Sequence, residues 1–261
     1  IGITSFSPTE GYAGTIVTIT GTDFTGSPIV KIGTTTIASA NVTVISSTEL
    51  KVVIPCNISS GVIEVDGVAS TAVFTYKTAV ISTVLSDLSY CVGSTVPALT
   101  LSGDPIGTQF SWTSSNPNFT LATSGSGAVP TFTATNAPNQ HISTTIHVTP
   151  SFNGCAGIAK EYVITINPKP VLNSISSQQV CNGTTINSIE LTASSPLNGS
   201  GTSFTWSATN ANAIGLTPSS GTTSPIPSFT TTNATNSLVS ALFTVTPSYE
   251  SCVGNSGSFS I

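Results

Sequence analysis

Charge is what this chain lacks. Charged residues make up 6% of its 261 positions, against about 25% in an average soluble protein. The five basic residues are all lysine, ten residues are acidic, and the net charge is −5. Without arginine or a basic cluster there is no surface to neutralise phosphates, which argues against nucleic-acid binding. No apolar run approaches the ~18 residues of a membrane-spanning helix, and the sequence opens at Ile1 without a charged n-region and apolar h-region, so no signal peptide is visible in it. Methionine is absent, and Glu and Lys are scarce, so the strong helix formers are nearly missing.

What remains is polar without being ionic. Ser and Thr together fill roughly a third of the chain, far above ordinary usage. Hydrophobic residues reach 38%, with a mean hydropathy of +0.32, which is too apolar for disorder. They are mostly Val, Ile, Leu and Phe interleaved with Thr, residues that suit a pleated, half-buried surface. Thr combines a strand-favouring branch with a hydroxyl for water. A Thr-covered sheet therefore stays soluble without ion pairs. The reading is an all-β protein of short strands.

Residues 1–76 alternate well. Leu50, Val52 and Ile54 share one face, as do Ile63 and Val65, and Val73 with Thr75 is expected to continue the pattern. Ile16 and Ile19 cannot share a face, which calls for a bulge or a two-sided strand. Glycines at 11, 14, 21, 26, 33, 61 and 67 punctuate these runs at turn spacing.

The rest of the chain repeats itself. The first copy reads Cys91-Val-Gly, Phe110-Ser-Trp112, Pro130-Thr-Phe132 through Asn136, Val148-Thr-Pro150 and Cys155. The second reads Cys181-Asn-Gly, Phe204-Thr-Trp206, Pro227-Ser-Phe229 through Asn233, Val245-Thr-Pro247 and Cys252. Order is kept while loop lengths drift, as in homologous sandwiches. Boundaries are expected near Lys77 and at Asn167-Pro168-Lys169-Pro170, where two prolines stop a strand and stiffen the link. That divides the chain into residues 1–76, 78–168 and 169–261. The second copy stops at Ser258–Ile261, the place of Glu161–Ile166 in the first, and this suggests an excerpt of a longer tandem array.

Residues 1–76 resemble an IPT/TIG domain, on Ser5-Phe-Ser-Pro8, Gly14 to Gly21, Asp23-Phe24, Leu50 to Pro55 and Gly61. Residues 78–261 resemble the PKD-like repeats of secreted surface proteins from Bacteroidota, with Phe110-Ser-Trp112 and Phe204-Thr-Trp206 at the family's aromatic-x-Trp strand. Together they imply three tandem immunoglobulin-like β-sandwiches in a large exported adhesin or gliding-type protein, sent out by a type IX secretion route.

In such a sandwich the first strand begins at the pole that also holds the loop joining the last two strands. On that geometry Cys91 is expected to pair with Cys155, and Cys181 with Cys252. Each bridge would close a loop of over 60 residues, worth roughly 4 kcal/mol by chain entropy, and would require an oxidising compartment. The alternative is four unpaired core thiols. Cys56 follows Pro55 in phase with Ile54 and is read as an unpaired, small buried hydrophobe, with a bond beyond this segment as the weaker option. The short Cys-x2-4-Cys spacings of a metal site are missing.

Catalytic chemistry is hard to assemble. His141 and His147 are the only histidines, and no third ligand stands near them. No Gly-x-Ser-x-Gly elbow is present. Glu64 and Asp66 alternate on one strand and read as a solvated face rather than a facing acid pair. Asp87 and Asp104 are too few oxygens for calcium, and Gly125-Ser-Gly127 lacks the lysine of a phosphate loop. Trp112 and Trp206 are read as core residues between two sheets, against the alternative of a sugar-stacking platform, for which Tyr12, Tyr90 and Phe119 are the further aromatics to inspect. Asn-x-Ser/Thr sites at Asn41, Asn57, Asn118, Asn182, Asn198 and Asn233 are expected by chance in a chain so rich in Ser and Thr.

The expectation is a non-catalytic spacer at the cell surface, with no cofactor, no metal, no nucleic acid and no membrane insertion. Its partners are neighbouring repeats of the same chain, and surface glycans or another surface protein. Glycan binding and accessory modules of a secreted hydrolase are the alternatives.

Overall fold

The computed structural model describes residues 1–135, 140–194 and 201–261. Asn136 and Asn198 lie outside them. Described secondary structure is strand apart from two short 3-10 turns, Ser39–Asn41 and Ala211–Ile214. Three separate hydrophobic cores divide the chain into three modules.

The first module is a two-sheet sandwich. One sheet orders the strands Gly2–Ser7, Ile16–Thr22, Glu49–Val53 and Val42–Ser46. The other runs Glu10–Gly11, Val68–Tyr76, Gly61–Val65, Val30–Ile32 and Thr35–Thr36. Alternation sends Val17, Ile19, Leu50 and Val52 inward from one sheet and Val30, Ile32, Ile63 and Val65 from the other. Ile16 points out and is 55% exposed, so the strand is two-sided. Val73 does not continue the inward face: it is exposed, and Phe74 is buried in its place. The hairpin sets this phase: Val65 pairs with Val68, which places the even-numbered Ser70 and Phe74 on the inward face with Ile63 and Val65.

The second and third modules share one plan. A central antiparallel pair joins Gln109–Ser114 to Ile142–Phe152, with Trp112 opposite Val148. Its counterpart joins Ser203–Thr209 to Leu242–Tyr249, with Trp206 opposite Val245. The long strand turns back through a tight hairpin in each, pairing Phe152 with Cys155 and Tyr249 with Cys252. Lys160–Asn167 and Gly257–Ser260 then flank it. Facing these sheets are short pairs, Thr95–Val96 with Phe132–Thr133 and Thr185–Ile186 with Phe229–Thr230.

Trp112 and Trp206 are 3% and 4% exposed. A Cβ on Gly125 would stand 2.3 Å from the Trp112 ring, and one on Gly221 2.6 Å from the Trp206 indole nitrogen. The neighbouring strand must be glycine there, because the indole lies where a side chain would start.

Candidate functional site: the junctions between modules

The cysteines correct the sequence reading. Cys56 is bonded to Cys155, and Cys91 to Cys252, each with a Cα–Cα distance of 5.5 Å. Cys181 is free and exposed. Neither the Cys91–Cys155 nor the Cys181–Cys252 pairing forms, and Cys56 is neither unpaired nor buried. Both bonds cross from one module to the next.

The reason lies in strand direction. Leu88–Cys91 runs parallel to Lys160–Asn167, and its register sets Cys91 beside Asn167. Cys155 sits in the hairpin before the other end of that strand, at Lys160. At ~3.3 Å per residue, the eight residues of Lys160–Asn167 hold the two cysteines roughly 20 Å apart, at opposite poles of the module. Cys155 therefore faces back towards the first module, and Cys91 faces forward towards the third. Cys56 escapes the core because Glu49–Val53 ends before Pro55. The chain then turns, with Asn57 in the left-handed region (φ 58°), and Cys56 is exposed.

Around the first bond the contact is closely made. The Tyr12 and Phe152 rings meet edge to face, with centroids 5.7 Å apart. The Tyr12 hydroxyl donates to the Asp104 carboxylate. Asn153 Nδ2 donates to the Ala13 carbonyl at 2.8 Å, and a Cβ on Gly14 would stand 2.5 Å from that nitrogen. Asn153 holds φ 49°, a conformation Asn tolerates better than most residues, so the hairpin tip presents its amide to the first module. Gly157 approaches the Ala79 carbonyl so closely that a Cβ would fall 1.8 Å from it, and Gly254 repeats this against Pro170. Each hairpin therefore also clamps the entry segment of its own module.

The second junction is more open. A shallow cleft of about 420 Å³ lies between Asp87, Leu88, Ser89, His141 and Ser143 of the second module and the hairpin residues Tyr249 and Glu250 of the third.

The hydrogen bond to Asp104 is the main influence that pushes the Tyr12 phenol up to about 12; desolvation and the charges of Asp104 and Glu10 add to it. Burial, then Tyr90, does the same to Tyr162. A raised phenol pKa stabilises the folded state fully below the ordinary value near pH 10, and that contribution is lost as pH rises through about 12. Spectrophotometric titration at 295 nm should therefore show two of the five tyrosines ionising near pH 12. Tyr12→Phe should remove one of those two late steps; two late steps in the variant would contradict the assignment.

The remaining acids and histidines are spread out. Asp87 accepts from the Val163 amide at 2.8 Å and Asp66 from Ile29 at 2.8 Å. Glu64 lies 3.5 Å from Lys31, and His147 3.0 Å from Glu161 on the outer face. His141 is exposed. Among the described residues no three such groups gather as a metal cluster. The aromatics do not form a platform: Tyr12 is engaged at the junction, Tyr90 packs on the second core and Phe119 is buried.

The fold and its junctions define a tandem array of immunoglobulin-like modules. Within it, residues 2–79 match the IPT/TIG domain and residues 178–261 the PKD-like domain, so the chain carries an IPT/TIG domain followed by a PKD-like domain. The sequence is similar to no curated protein. Among solved structures, domains A168–A170 of titin are 12% identical, with a TM-score of 0.41 over 99% of this chain and 98% of that one. The I9–I11 tandem of titin is 12% identical at 0.39 over 96% and 94%. Immunoglobulin domains 1–4 of Sidekick-1 are 13% identical at 0.37 over 96% and 72%.

Proposed function

We propose that this chain is a non-catalytic spacer of a large bacterial cell-surface adhesin or gliding-type filament, holding a distal binding region away from the envelope. The observation that carries this reading is that both disulfides join neighbouring modules. A bond inside a module secures its fold; a bond between modules fixes their relative placement, which matters to a rod. Disulfides suit an extracellular, oxidising location, and a threonine-rich surface poor in ion pairs is little affected by changing salt. IPT/TIG and PKD-like modules are typically non-catalytic. The PKD-like resemblance suggests export from a Bacteroidota cell by a type IX route. The buried tryptophans favour this reading over a sugar-stacking surface. Antibody against the chain should decorate intact cells of the producing organism, with gold label set off from the outer membrane. Labelling only after permeabilisation would overturn the proposal.

A further inference from the structure

The second and third modules carry cysteines at matching places, and their bonds follow a rule. The hairpin cysteine of each reaches the module before it: Cys155 to Cys56, and Cys252 to Cys91. The opening cysteine of the second module, Cys91, receives the hairpin of the module after it. Cys181 is the opening cysteine of the third module, and it is free and exposed.

The surroundings of Cys181 match those of Cys91. Val163 N donates to the Asp87 side chain, and Ser260 N, at the matching position, donates to Ser177 Oγ. The opening segment therefore lies beside its last strand in the same register. In that register Ile261 stands at the place of Ile164, three residues before the Asn167 that pairs with Cys91.

A cleft of about 340 Å³ opens beside Cys181, bordered by Ser177, Gln178, Gln179, Leu238 and Ser240. These are the repeat equivalents of Asp87, Leu88, Ser89, His141 and Ser143, which border the cleft of the second module. There Tyr249 and Glu250 of the next hairpin complete the wall. At the third module no described residue takes their place, and Leu238 is 80% exposed.

We propose that Cys181 and this cleft form the receiving site for the cysteine-bearing hairpin of a further PKD-like module, joined by the same kind of bond as Cys91–Cys252. The chemistry balances as thiol–disulfide exchange. One thiolate attacks a small-molecule disulfide such as oxidised glutathione and releases one thiol. The second thiolate then cleaves the mixed disulfide and releases another. Two cysteines are oxidised, and the oxidant is reduced to two thiols. The proposal rests on the reading of the chain as stacked modules, but its readout is a cross-linked peptide and does not depend on cellular location.

The test extends the full chain after Ile261 with a second copy of residues 165–261, marked by Val253→Ile to shift the mass of the added hairpin peptide, with Val180→Ile in the same copy so that its Cys181 peptide is told from the original. After refolding in a glutathione redox buffer, free thiols are alkylated and the unreduced digest is mapped by mass spectrometry. Cys181 should appear linked to the marked peptide, with the added copy of Cys181 alkylated. An alkylated Cys181, a bond between the two copied cysteines inside the added module, or a Cys181–Cys181 dimer overturns the proposal. A second variant carries Cys252→Ser in the added copy, so that docking is read without a bond. Cys181 there should react with a maleimide at least about tenfold more slowly than in the 261-residue chain, and equal rates also overturn it.

Discussion

Pulled by its two ends, the oxidised chain should stop extending at roughly 350 Å, against roughly 900 Å after reduction, at the ~3.3–3.6 Å per residue of a taut chain. The limit follows from how the bonds interlace, Cys56 to Cys155 across Cys91 to Cys252. The shortest covalent route runs from Ile1 to Cys91, crosses the second bond to Cys252 and ends at Ile261. That leaves roughly 100 residues to carry the load, while the segments from Cys91 to Cys155 and on to Cys252 stay slack. The two bonds are therefore unequal. Cys91→Ser should lengthen the limit to roughly 550 Å, because the route then passes through Cys56–Cys155. Cys56→Ser should leave it unchanged. Single-molecule force spectroscopy of the full chain, with and without reductant, measures all four lengths. Bonds within modules, Cys91–Cys155 and Cys181–Cys252, would give an intermediate limit of roughly 430 Å in the parent chain and are separated by the same trace.

Trp206→Ala should destabilise the third module by about 3–5 kcal/mol, the usual loss for a buried large aromatic cut to Ala. That is a large fraction of the ~5–15 kcal/mol available to a domain. The indole lies over Gly221 and opposite Val245, in a core that also holds Phe204, Phe243 and Phe259, and no neighbouring side chain can grow into its place. The chain has two tryptophans, so in this variant fluorescence follows Trp112 and the second module alone. Urea unfolding should show an early circular dichroism transition that fluorescence does not share. A single coincident transition at the parent midpoint would refute a core role for Trp206.

The sandwich class was legible because it is written locally. Leu50, Val52 and Ile54 fall at every second position, and the structure buries all three. Phe-x-Trp recurs at one place in each repeat, and the two indoles occupy one environment. Where the pattern depended on pairing it was lost: the Val65–Val68 pair sets the even-numbered Ser70 and Phe74 inward and leaves Val73 outside, which the periodicity of one strand does not record. The cysteine pairing was lost for a related reason. Whether Cys91 and Cys155 share a pole depends on the opening segment running parallel to the last strand, a contact between residues some 75 positions apart. One signal was available: Cys155 and Cys252 each fall five residues after the Pro of Val-Thr-Pro, so both belong to a hairpin at the end of the long strand, whereas Cys91 and Cys181 open their modules.

The crossing of the two bonds also protects the chain against cleavage. Wherever a protease nicks the backbone between Cys56 and Cys252, at least one bond still bridges the cut. The two pieces stay covalently tethered, and Ile1 and Ile261 remain in one molecule.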